Sequence, residues 1–134
     1  MARRLSGFAP DIEDISRLAE QAFRALPEAL LRHARDVVIR VEDFPDAETM
    51  ETMELDTPFD LLGLYRGVDL PRRSVLDSGR LPDIVHLYRR PILDEWCESG
   101  ERLEDIVRNV LVHEIGHHFG FSDEEMEALE EEED

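Results

Sequence analysis

The chain has 134 residues, the length of one domain with enough buried surface for a real core. Its hydrophobic fraction of 42% argues against global disorder, and 33 acidic against 15 basic side chains (net charge −18) argue against binding nucleic-acid phosphates or anionic lipid. All basic residues are arginine, which removes Schiff-base and lysine-base chemistry, and the single cysteine, Cys97, leaves no internal disulfide or multi-cysteine zinc site.

The opening MARRLSGFAPDIEDIS has no apolar segment behind its arginines, so no secretory leader is expected. No run approaches the ~20 apolar residues of a membrane span, and the expected location is cytoplasmic. One domain is expected over 1–134, with a core of about 10–130 and an acidic tail at 130–134.

In chain order, Pro10, Asp11 and Glu13 predict a helix start. Ile12, Ile15, Leu18, Ala19, Ala22, Phe23 and Leu26 supply its apolar stripe. Pro27 ends it and restarts a short helix in PEALLRHA. Val37 to Val41 reads as a β-branched strand, and 44–60, with mixed period, many acids and two prolines, as a loop. LLGLYRG (61–67) predicts a second strand, 68–83 carries turn chemistry, and IVHLYRRP from Ile84 predicts a third strand stopped by Pro91. A long helix follows from Glu101, with Leu103, Ile106, Val107, Val110 and Leu111 on one stripe and Gly120 at its C-terminal cap. Ser122 with Glu125 forms a capping box, and Phe121 with Met126 a hydrophobic staple, so a last helix begins near Asp123. The expected fold class is α+β, a small mixed sheet packed against helices.

The chemistry lies in HEIGHHFGFSDEE, His113 to Glu125. His113 and His117, four apart, sit about 40° from each other around the helix and one turn apart, so two imidazoles can share one ion. Glu114 points about 100° away and can reach a water on that ion, the geometric sense of His-Glu-x-x-His. A catalytic zinc commonly takes three protein ligands. Gly120 allows the turn that brings Asp123 back as a carboxylate ligand, completing a set for Zn2+.

HEIGHHFGFSD resembles the extended zinc motif of the metzincins, in the form whose third ligand is aspartate. The chain is similar more closely to the minimal zincins, small bacterial zinc metallopeptidases, through LLGLYRG, IVHLYRRP and the final histidine motif, over roughly residues 10 to 130. The resemblance implies a zincin-like core with the active-site helix near the C-terminus, His113, His117 and Asp123 as ligands, and Glu114 as base. Two departures stand out. The downstream Met126 falls inside the capped helix, so it is not assigned the metzincin methionine turn, and no counterpart of the second subdomain of larger zincins is expected.

The reading is a zinc-dependent peptidase acting on a peptide or protein substrate, with the acidic surface favouring basic peptides. The alternative is a zinc-stabilised protein-binding module without catalysis. Strand 84–88 is expected at a sheet edge, where a peptide could add as an extra strand with His86 and Tyr88 flanking the cleft. Tyr65, Tyr88, Arg89 and Arg90 are candidates for oxyanion stabilisation. His118 is expected on the Leu111 side as a core or supporting residue. His33 and His86 are expected to be structural, Cys97 a partly buried hydrophobe, and the acids after Asp123 a solvated face.

Overall fold

The computed structural model describes residues 7–67, 82–122 and 124–128. Helix α1 (Ile12–Arg24) begins at Asp11, whose carboxylate accepts the Asp14 N–H at 2.8 Å while the Asp14 carboxylate accepts the Asp11 N–H at 2.9 Å. This reciprocal cap satisfies two of the donors that a helix start leaves open. The short α2 (Glu28–Leu31) restarts at Pro27, and strand β1 (Val38–Glu42) follows.

The predicted loop at 44–60 is instead ordered into α3 (Ala47–Thr52) and a 3-10 turn (Pro58–Asp60). Asp46 caps α3 by accepting the Thr49 N–H, and Thr57 with Asp60 forms a second capping box. Only Thr49 of α3 is buried, so the helix carries no apolar stripe that periodicity could detect. Strand β2 (Gly63–Arg66) and strand β3 (Ile84–Tyr88) match the expected segments. The turn-rich stretch lies mostly outside the described residues.

Pro91 does not end the ordered chain. Tyr88 passes directly into α4 (Arg89–Ser99), with Pro91 in its first turn, where a missing N–H costs nothing. Gly100, at φ 73°, closes α4 and leads into α5 (Leu103–His118).

The sheet order is β1-β3-β2, with β1 parallel and β2 antiparallel to β3. β3 is therefore the central strand, which overturns its expected place at an edge. Its alternation divides the sheet. Val85 and Leu87 enter the core formed with Ile15 and Ala19 of α1 and Val107, Leu111 and Ile115 of α5. His86 and Tyr88 face the other way, toward α3, as the period of two requires. They are buried there, with their rings stacked at 6.2 Å, and do not flank a cleft.

Candidate metal centre

Helix α5 presents two adjacent ridges at four-residue spacing, an outer one with His113 and His117 and an inner one with Glu114 and His118. Ile115 and Gly116 turn into the core, and His113 and His117 are exposed on the outer ridge. Their ring centres are 5.8 Å apart. Two imidazoles sharing one tetrahedral ion, at metal–nitrogen distances of about 2 Å, have ring centres about 5 Å apart, so the pair stands somewhat wider than a shared zinc ion needs. The His113 Nδ1 donates to the Asn109 carbonyl at 2.7 Å in the tautomer that leaves the Nε2 lone pair for a metal. A second partner of this kind commonly orients metal-binding histidines.

Among the described residues no group of three or more histidine, cysteine or acidic side chains gathers around a metal position. The expected third ligand, Asp123, lies outside the described residues.

Phe119 ends α5 and Gly120 follows at φ 86°, a conformation that disfavours any side chain. The Gly120 N–H donates to the His117 carbonyl at 3.1 Å and the Phe121 N–H to the Gly116 carbonyl at 2.9 Å, a Schellman motif. The Ser122 N–H then donates to Glu125 at 3.0 Å and the Glu125 N–H to the Ser122 hydroxyl at 3.1 Å, forming the predicted capping box. Residues 124–128 are helical, and Met126 is buried with its sulfur against Gly116, one residue before His117. A Cβ at Gly116 would sit 1.9 Å from that sulfur.

Glu114 occupies the inner ridge, half-buried between α5 and β2. Its Oε1 accepts the Tyr65 main-chain N–H at 3.1 Å. Burial pushes its carboxyl above the usual range, partly opposed by the Tyr65 N–H and by His117 and His113. Beside it, a shallow pocket of about 270 Å³ opens between Leu61, Leu62 and Val110, with His113 and Glu114 on its wall.

Of the candidates for oxyanion stabilisation, only Tyr65 is near. Its hydroxyl donates to Asp83 at 2.8 Å. Tyr88 is buried beneath α3, Arg89 bonds the Pro10 carbonyl and Asp43, and Arg90 lies 5.6 Å over the Phe44 ring. Cys97 is exposed on α4, contrary to the expectation of partial burial. His33 stacks at 5.4 Å on Phe119, a packing role as expected. His118 does not enter the core. It is partly exposed and lies flat on Tyr65 at 3.7 Å, a contact between segments far apart in sequence that no local spacing could reveal.

A three-stranded mixed sheet, laid over a helix that carries His113, Glu114 and His117 together, defines a small α+β protein of zincin type. A family model for zincin-like metallopeptidases matches residues 34–133, and the chain belongs to that family. Helix α1 precedes the match. No curated protein matches the chain.

Proposed function

We propose that the protein is a zinc-dependent peptidase of the cytoplasm, with His113, His117 and Asp123 holding the ion and Glu114 as general base. The observation that carries this reading is the placement of Glu114: a half-buried carboxylate with a raised pKa, fixed beside two exposed imidazoles. A base tuned upward by burial suits proton transfer near neutral pH. A bound zinc ion would bring the pKa of water toward ~7 and polarise the scissile carbonyl.

Because the Tyr65 N–H holds Oε1, Oε2 is the oxygen left to take the proton of the attacking water and return it to the leaving amine. With β3 in the middle of the sheet, β2 is an edge strand that runs along α5, and we place the peptide beside it at the pocket, not on the Tyr65 N–H that Glu114 already holds. The pocket of about 270 Å³ beside Gly63 would take one of its apolar side chains.

The test is metal analysis of protein purified without added zinc, beside His113→Ala and Glu114→Gln. The expected result is zinc in the wild type, loss of it in His113→Ala, and retention in Glu114→Gln with hydrolysis lowered ~10²–10⁴-fold. A metal-free wild type, or Glu114→Gln with full hydrolysis, refutes the proposal. A binding module would hold zinc but hydrolyse no peptide, and Glu114→Gln would leave its folding and partner binding unchanged, because a structural site has no use for Glu114.

A further inference from the structure

Strand β2 and helix α5 meet in matched steps. A Cβ on Gly63 would lie 2.5 Å from the Val110 side chain, the Tyr65 N–H bonds Glu114, and a Cβ on Gly67 would lie 2.8 Å from the His118 ring. Positions 63, 65 and 67 thus meet 110, 114 and 118. Two residues of strand advance about 6.7 Å and four residues of helix about 6 Å, so the two repeats stay in step over this length. The glycines let the strand lie close on the helix at each end, with the hydrogen bond to Glu114 between them.

Tyr65 is the bridge in this seam. Its hydroxyl donates to Asp83, which directly precedes β3, so that contact ties it to the sheet. Its ring stacks on His118 with centres 3.7 Å apart and planes 13° apart, which ties it to the helix. Asp83 alone cannot set where β2 sits along α5, because it moves with the sheet and its carboxylate stands 4.0 Å from the His118 Nε2, beyond hydrogen-bond distance. The His118 ring can, since it is four residues beyond Glu114 on the same ridge. Phe119 packs edge-on against both rings and limits their sliding.

We propose that His118 is a positioning residue for Glu114. Its ring fixes the register of β2 on α5, and with it the main-chain N–H on which the carboxylate rests. The role belongs to the flat ring, and the longer approach of its Nε2 to Asp83, at 4.0 Å, is removed in both variants below. The consequence for catalysis rests on the reading of Glu114 as the base.

The test uses His118→Leu, which keeps apolar bulk so that the fold survives, and His118→Phe, which keeps a flat ring. In metal-free protein, amide exchange at Tyr65 should quicken about tenfold in His118→Leu and return close to wild type in His118→Phe. Gly67→Ala, which drives a Cβ into the ring, should quicken the same amide from the strand side. In the zinc-loaded protein, His118→Leu should lower kcat about tenfold with KM and zinc content unchanged, and His118→Phe should restore it. Wild-type exchange at Tyr65 in His118→Leu overturns the proposal. So does a His118→Phe variant as impaired as His118→Leu, or a loss of zinc that accounts for the lost rate. The amide measurement needs no turnover, so its failure is distinct from that of the Glu114→Gln test.

Discussion

On the face of the sheet that meets α5, the half-buried Glu114 carboxylate leans on a main-chain N–H. On the face beneath α3, the buried His86 ring leans on a side chain, with its Nδ1 against the Glu42 carboxylate. The second arrangement is closed at its buried rings, although a pocket of about 390 Å³ opens beside them between α3 and β2, along Thr49 and Arg66. The Arg66 guanidinium donates to the Thr49 hydroxyl, Asp46 caps the same helix, and Tyr88 is buried beside them. Polar groups there mostly satisfy one another, which holds α3 to the sheet. The first arrangement is open: Glu114 is fixed by backbone and borders a pocket and two exposed histidines. Burial of polar atoms therefore serves two ends. A side-chain partner makes a fastener, and a main-chain partner at the edge of the core makes a group ready to act outward.

The contrast breaks most severely at the seam. Gly63→Ala puts a Cβ 2.5 Å from Val110 and 3.1 Å from the His86 carbonyl oxygen. Overpacking of this kind costs about 2–3 kcal/mol, and urea denaturation should show it. Val110→Ala in the same chain should recover part of the loss, whereas additive losses would mean that the strand and helix do not press on each other there. On the opposite face, Glu42→Ala strips the buried His86 of its partner. His86 Nε2 already has no hydrogen bond among the described residues, so the ring would be left with none. The expected loss is about 1–2 kcal/mol, and the Glu42→Ala, His86→Phe pair should be less destabilised than Glu42→Ala alone.

The open face was the more legible of the two. Helix α5, its Gly120 stop and the Ser122–Glu125 box are all local, and each declared itself through spacing of three to seven residues. So did the shared side of His113 and His117. The closed face stayed hidden because α3 buries only Thr49, and α4, which packs on α5, because it starts with two arginines and a proline directly after a strand. In hindsight Ile92, Leu93 and Trp96 have helical spacing, but three apolar positions in eleven residues are a faint pattern. Strand order is a non-local property. IVHLY is apolar or aromatic at every position but His86, a near-continuous run that marks a strand buried on both faces and speaks against the edge assignment. The stack of His118 on Tyr65 joins positions 53 apart and had no local signal.

A smaller effect probes the support beneath the open face. Ser122→Ala removes the hydroxyl that accepts the Glu125 N–H, and the loss of such a cap costs about 1 kcal/mol. The cap starts the helical residues that carry Met126 onto Gly116, so the amides of 124–128 should exchange faster while those of β1 do not. Equal change in both would make the cap a global rather than a local fastener.

The smallest effect near neutral pH is Tyr88→Phe, and its value lies in alkali. Burial pushes the Tyr88 hydroxyl up to about 12, with the Glu42 and Asp46 carboxylates adding and Arg66 and Thr49 opposing. Between pH ~10, where an unfolded tyrosine ionises, and about 12, the folded chain keeps a proton that the unfolded chain has released. Stability falls with rising pH wherever the folded state binds more protons. The contribution is therefore fully present below pH ~10 and lost as pH climbs through the folded value. Urea midpoints of the wild type should drop across this window, and those of Tyr88→Phe should drop less. A difference between the two that stays constant from pH 9 to 12 would mean that the hydroxyl is open to solvent, and the closed face would not be closed.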